Sequence, residues 1–204
     1  MNLYCIGIDG GGSQTTGVIV TEQGDLLARH SGPATNFQLI SLDFFEKAIS
    51  KIVNSLLKAT KVRIEQVAAI YLAIAGVGRK ADRQKAQSIL QKNFPGLKIV
   101  VENDATAALT GAFLNEPGVV LIAGTGSICY GRTPEGKIYR SGGWGYLLGD
   151  EGSGFYIAQK GLIQALHAID GRGQTTLLVQ LFKDHFKLND LRDIVTVIYS
   201  RSSL

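Results

Sequence analysis

A strand, a glycine-rich turn and two further strands occur twice along this chain, and no other feature narrows its fold so far. The first copy is LYCIGIDGGGSQTTGVIVTEQGDLLARHS. It holds an apolar run at Leu3–Ile8, a glycine turn at Gly10–Gln14, a returning strand at Thr16–Thr21, the turn Glu22–Asp25, and a third strand at Leu26–Ser31. The second copy is VVLIAGTGSICYGRTPEGKIYRSGG, with a Gly-Thr-Gly-Ser turn, a returning strand and the turn Pro134–Lys137. Gly10 and Gly124 are 114 residues apart, and Gly24 and Gly136 are 112 apart. Such matched internal spacing predicts a duplicated unit rather than two unrelated hairpins. Two similar α/β domains follow from it, residues 1–116 and 117–204, with a cleft between the two glycine turns.

Between the copies the pattern alternates. Ser41 is placed to cap a helix in which Leu42, Phe45, Ile49, Ile52, Val53 and Leu56 recur on one face. A buried strand is expected at Val67–Ala75, a basic amphipathic helix at about Lys80–Phe94, a short strand at Lys98–Glu102 and a small-residue helix at Asp104–Leu114. After Gly143 the chain reads as helical, over Gly154–Ala168, Thr175–Phe186 and from about Leu191. Nothing there matches the strand Val67–Ala75 or its helix. The repeat therefore predicts an incomplete second domain and further residues beyond Leu204.

Composition excludes several classes. With 45% hydrophobic and 19% charged residues the chain has the makings of a globular core rather than a disordered segment. Its longest nearly unbroken apolar stretch, Ala68–Val77, is well short of the roughly 18 residues a spanning helix needs. MNLYCIGI has neither a basic start nor a cleavage site, so a cytoplasmic location and no membrane partner are expected. The net charge of +4 suits an anionic ligand. The basic residues are scattered without interleaved aromatics, which argues against nucleic acid. Arg79, Lys80, Arg83 and Lys85 read as a solvated helix face, and His30, His167 and His185 as isolated side chains. Cys5 and Cys129 sit in apolar runs and are expected to be buried, reduced thiols.

Four segments carry chemistry. In Asp9-Gly10-Gly11-Gly12-Ser13-Gln14-Thr15, the absence of Cβ atoms lets the backbone approach a phosphate, and the Ser13 and Thr15 hydroxyls can add donors. Asp9 is placed to hold the water shell of a phosphate-bound magnesium ion. A strand follows, and no Gly-Lys-Ser/Thr is present, so the segment is neither a P-loop nor a dinucleotide fingerprint. Gly124-Thr125-Gly126-Ser127 is its counterpart; together the two turns would clamp one polyphosphate. Asp104, after Asn103, opens a helix at a strand end. Helix cap and proton acceptor are both open readings for that pair. In Ser141–Gln159, five glycines, Trp144, Asp150 and Glu151 stand ahead of the helix expected from Gly154, a set that suits a polyhydroxylated ligand, although the two acids also suit a helix start.

Taken together, IGIDGGGSQTTGVIV, GPATNF, VENDATAAL, LIAGTGSICYGR and GGWGYLLGDEGSGFYIA resemble the N-acetylglucosamine kinases. Those enzymes lie in the BadF/BadG/BcrA/BcrD group of the actin, Hsp70 and hexokinase superfamily. The resemblance runs through most of Leu3–Leu166 and weakens after Ala168. It implies duplicated ribonuclease H-like, actin-like ATPase domains with mixed sheets, and transfer of the γ-phosphate of ATP to the hydroxyl on carbon six of an N-acetylated amino sugar. Ser13 and Thr125 would touch ATP phosphates, within turns formed by Gly10, Gly11, Gly12, Gln14, Thr15, Gly124 and Gly126. Asn36, Asp104, Ser127, Ile128, Gly143, Trp144, Gly145 and Asp150 would line the sugar site. Asp104 would be the base, and Asp9 would support magnesium. The family places its adenine pocket in a C-terminal half that lies outside this sequence, and its members often form homodimers through the second domain. N-acetylglucosamine, N-acetylmuramate and glucosamine are not distinguished by these motifs.

Two other readings stand beside this one. The same broad group includes ATPases that activate CoA-ester dehydratases or reductases through a cysteine-held iron–sulfur cluster. Cys5 and Cys129 alone make a poor ligand set for that cluster. The other is a non-catalytic ATP-binding remnant, which titration with ATP and N-acetylglucosamine would separate from a working kinase.

Overall fold

The computed structural model describes residues 3–201 and is a mixed α/β structure with two sheets. Its first sheet has five strands in the order β3-β2-β1-β4-β5. These are β1 (Tyr4–Gly10), β2 (Gln14–Thr21), β3 (Leu26–Pro33), β4 (Val67–Ile74) and β5 (Lys98–Glu102). The β1–β2 and β2–β3 pairs are antiparallel, whereas β1–β4 and β4–β5 are parallel. Tight turns join the antiparallel strands, and helices supply the long crossovers that parallel pairing requires.

Helix α1 (Leu42–Thr60) starts where Ser41 Oγ accepts from the Phe44 N–H at 3.2 Å, and ends at Lys61 with φ 60°. Asp43 in the first turn and Lys58 in the last complement the helix dipole. Its apolar stripe, Phe45, Ile49, Ile52, Val53 and Leu56, is buried against β2 and β3. Close approach depends on glycine: a Cβ on Gly17 would overlap Ile52, and one on Gly32 would lie 3.1 Å from Ile52 Cδ1. Helix α2 (Lys80–Asn93) packs Ala86 and Leu90 inward beside β5, and α3 (Asp104–Phe113) lies against β4. One core joins the sheet to α1 and α2, with Ile6, Ile8, Ile19, Ile70, Leu72 and Ile74 from the sheet.

The second sheet has the order β6-β7-β8, from β6 (Gly118–Ala123), β7 (Ser127–Arg132) and β8 (Ile138–Gly142). Its three strands neighbour one another in chain order, as β1, β2 and β3 do. Three helices follow: α4 (Gly154–Ile169), α5 (Leu178–Phe186) and α6 (Ile194–Arg201). They share a small core of Ala165, Leu191 and Ile194 with Leu162, Leu178 and Phe182 packed around it. Helix α5 starts at Leu178, later than Thr175, with Leu177 at its N-cap position and no side-chain cap; the Leu178 N–H donates to Thr176 Oγ1 at 3.3 Å in the turn that precedes it. Among the described residues no helix is long and apolar enough to cross a membrane.

By backbone contacts the chain divides into two compact units. One runs to Leu121 and includes Cys129–Ser141; the other comprises Ile122–Ile128 and the chain from Gly142. The expectation of two buried thiols is corrected here. Cys5 is exposed and Cys129 only partly covered, because Cys5 faces away from its core-directed neighbours Ile6 and Ile8 on β1.

Candidate active site

In the first unit, the carboxyl ends of three parallel strands collect the chemistry, the end at which α/β folds hold their ligands. Asp9 on β1 is in register with Ala73 on β4, and Ala73 with Glu102 on β5. Asp9 therefore shares an end of the sheet with the Asn103–Asp104 step that follows β5. Asn103 Oδ1 accepts from the Ala105 N–H at 3.0 Å and caps α3. Asp104 Oδ1 shares that donor at 2.9 Å. Asn103 is thus the cap, which leaves the Asp104 carboxylate one oxygen outside this bond.

Both carboxyls are unusually basic. Burial raises the pKa of Asp104 above the usual carboxylate range, and the nearby negative charge of Asp9 raises it further, against the opposing Ala105 N–H. Asp9 is exposed as a residue, yet partial desolvation of its carboxyl raises its pKa too. The Asp9 carboxylate is a hard oxygen donor of the kind that a magnesium ion takes.

The first glycine turn is closed by a Gly11 N–H to Gln14 C=O hydrogen bond of 3.0 Å, which leaves Gly12, Ser13 and Gln14 at the surface. Thr15 is different. It is fully buried, its Oγ1 donates to the Pro33 carbonyl at 2.7 Å, and it lies 2.7 Å from the equally buried Thr35 Oγ1. Its hydroxyl belongs to the fold, which corrects the expectation that it adds a donor for a ligand. The hydroxyl pair sits directly beneath the turn, since a Cβ on Gly10 would overlap Thr35 Oγ1 and lie 2.6 Å from Ile74 Cδ1. Asn36 follows Thr35 and reaches the same end of the sheet. Thr35 N–H donates to Gly11 C=O at 3.1 Å, and Phe37 N–H to Ala75 C=O at 2.9 Å.

In the second unit, Gly124-Thr125-Gly126-Ser127 forms the corresponding turn, with Gly124 N–H bonded to Gly126 C=O at 2.9 Å. It is tied to the start of α4, where Gly154 N–H donates to Gly124 C=O at 2.8 Å and Ser153 Oγ caps the helix. Ser127 Oγ donates to Glu151 C=O at 2.8 Å. Asp150 is buried, with φ 64°, and its Oδ2 would be 2.8 Å from a Cβ on Gly126. Gly143 (φ 71°) lies flat on Ile128, where a Cβ would overlap that side chain. Gly145 also has positive φ, and Trp144 between them is exposed. The second turn, Ile128, Gly143–Gly145 and Asp150 are therefore assembled within one unit. In the sequence Thr35 stands out only as part of GPATNF, Gly76 only as a glycine after the buried strand β4, and Gln38 not at all.

The model of the BadF/BadG/BcrA/BcrD ATPase family matches residues 6–201, well past Ala168, where the motif resemblance weakens. An N-acetylmuramic acid/N-acetylglucosamine kinase of Clostridium acetobutylicum is 38% identical over 96% of this chain and 64% of its own length. An N-acetyl-D-glucosamine kinase of Dictyostelium discoideum is 35% identical over 95% of this chain and 64% of its own. The chain thus spans 64% of each of these curated relatives. Among solved structures, a putative N-acetylglucosamine kinase from Chromobacterium violaceum superposes with a TM-score of 0.82 at 27% identity, over 98% of this chain and 69% of that one. The fold is that of the actin-like ATPases. Matched along nearly its whole described length, with strand-end carboxylates in one unit and a glycine turn in each, the chain belongs to the BadF/BadG/BcrA/BcrD ATPase family.

Proposed function

We propose that this chain works as part of an ATP-dependent sugar kinase that transfers the γ-phosphate to the 6-hydroxyl of an N-acetylated amino sugar, with N-acetylglucosamine as the first choice. One observation carries the reading: Asp104 is desolvated, electrostatically coupled to Asp9 and held at the strand end beside a glycine turn. A carboxylate with a raised pKa is a better proton acceptor than a solvated one, and that is the task a sugar hydroxyl sets as it attacks. The amino-sugar kinases among its relatives support the same reading.

Phosphoryl transfer depends on positioning and charge neutralisation rather than on covalent chemistry. In this scheme the backbone and Ser13 of the first turn, with Thr125 in the second, hold the phosphates. Asn36, Ser127, Ile128, Gly143, Trp144, Gly145 and Asp150 hold the sugar. Asp104 takes the proton of the 6-hydroxyl. Asp9 would hold a magnesium ion through its water shell, and that ion would supply charge neutralisation on the phosphates. In this reading the domain boundary would lie at 116/117 and the site of action would be the cytoplasm, where ATP is plentiful.

The experiment is an ADP-release assay on the full-length protein with N-acetylglucosamine, N-acetylmuramate and glucosamine as acceptors. ADP formation that depends on an amino sugar and is lost in Asp104→Ala supports the proposal. ATP hydrolysis indifferent to every sugar, or near-normal turnover by Asp104→Ala, refutes it. Stoichiometric iron in the purified protein would instead favour a cluster-dependent ATPase.

A further inference from the structure

The fold decides which way the amide of Asn36 points. Its Oδ1 accepts a hydrogen bond from the Gln38 backbone N–H at 3.0 Å. A backbone N–H only donates, so the atom facing it is the oxygen, and the NH2 group is turned away. Gln38 is fixed in turn, because its Nε2 donates to the Gly76 carbonyl at 2.8 Å. Gly76 has φ +86°, and a Cβ there would lie 2.5 Å from Asn36 Oδ1 and 3.0 Å from the Gln38 nitrogen. The amide therefore has this seat only because residue 76 lacks a side chain and tolerates a left-handed backbone. The seat is anchored to the first glycine turn, since Ala75 N–H donates to Gly10 C=O at 2.8 Å. Asn36 is half-buried, and its Nδ2 has no partner among the described residues.

We infer that Gln38 and Gly76 are positioning residues that lock Asn36 as a hydrogen-bond donor, so that the substrate group it meets must be an acceptor. A hydroxyl lone pair or an amide carbonyl oxygen satisfies that demand; a protonated amine, which offers only N–H donors, does not. The identity of the ligand rests on the amino-sugar kinase reading, whereas the lock is a property of the free protein.

Two measurements on the full-length protein test it. In ligand-free NMR spectra, the Asn36 side-chain NH2 pair, identified by its loss in Asn36→Asp, is expected at well-dispersed shifts. Those shifts should collapse towards random-coil values in Gln38→Ala and Gly76→Ala. In titrations and kinetics, losing one oriented hydrogen bond should weaken N-acetylglucosamine binding about five- to tenfold in both variants. kcat and the KM for ATP should stay within about twofold, because the lost hydrogen bond contributes equally to the ground and transition states. Gln38→Lys, which keeps a donor towards the Gly76 carbonyl, should recover most of the affinity. A purely structural role would lower stability without this split. Random-coil shifts in the wild type, or wild-type sugar affinity in Gln38→Ala, would overturn the inference, and Gln38→Ala decides it alone if Gly76→Ala fails to fold. Dispersed shifts that collapse in the variants, in a protein that binds no amino sugar, would uphold the lock and overturn the kinase reading.

Discussion

Substituting Gly10 by alanine probes the support of the first glycine turn. The new methyl group would overlap Thr35 Oγ1 and sit 2.6 Å from Ile74 Cδ1. Thr35 has little room to retreat: it is fully buried, and its hydroxyl is bonded to that of Thr15, which is held in turn by Pro33. Overpacking a core of this kind costs about 1–3 kcal/mol, and separating the two hydroxyls adds about 1 kcal/mol. The expected destabilisation is therefore about 2–4 kcal/mol, which at a urea dependence of about 2 kcal/mol per molar lowers the unfolding midpoint by about 1–2 M. Circular dichroism during urea titration reads this directly. Removing the obstacle should remove part of the penalty, so Gly10→Ala made in a Thr35→Ala background should cost at least about 1 kcal/mol less than it does alone. Equal costs in the two backgrounds, or a midpoint shift below about 0.3 M for Gly10→Ala, would refute the reasoning that Thr35 underpins the turn.

Asp104→Asn should cut kcat by about a hundredfold or more, the usual contribution of a positioned base, as read by ADP release. The same variant should be more stable than wild type at neutral pH. The native pKa of Asp104 is raised, so its contribution is fully present below the unfolded value of 3.8 and lost as pH rises through the native pKa. The stability difference should vanish below about pH 3.8 in urea titrations at graded pH. Asp9→Asn removes one of the charges that raise the Asp104 pKa, so the acid limb of its residual kcat profile should move to lower pH. Gly126→Ala would put a Cβ 2.8 Å from Asp150 Oδ2 and displace that carboxylate, so the KM for the sugar should rise by about tenfold. An unchanged sugar KM would remove Asp150 from the sugar site.

Much of the local structure is legible in the sequence, for physical reasons that differ by residue. Ser41 and the stripe from Phe45 to Leu56 gave α1 its start and its buried face because capping and periodicity are local properties. The glycine turns were readable because few backbones other than tight turns use such runs. The direction of Thr15 is not local: a hydroxyl beside three glycines suits a ligand equally well, and only the tertiary pairing with Thr35, 20 residues later, reveals where it points. The exposure of Cys5 is not legible either, because a short apolar run does not show which alternate side chains face the core. The Gln38–Gly76 contact bridges 38 residues and leaves no periodicity at all.

Under the proposed function, Gly10–Ser13 and Gly124–Ser127 would hold one triphosphate while Asp104 meets the sugar hydroxyl. A crystal structure of the full-length protein with magnesium, a non-hydrolysable ATP analogue and N-acetylglucosamine tests it most directly. The terminal phosphate should lie against backbone N–H groups of both turns, with the 6-hydroxyl within hydrogen-bonding distance of Asp104 and in line with that phosphorus. Phosphates held by one turn alone, or a sugar whose 6-hydroxyl lies away from Asp104, would contradict it.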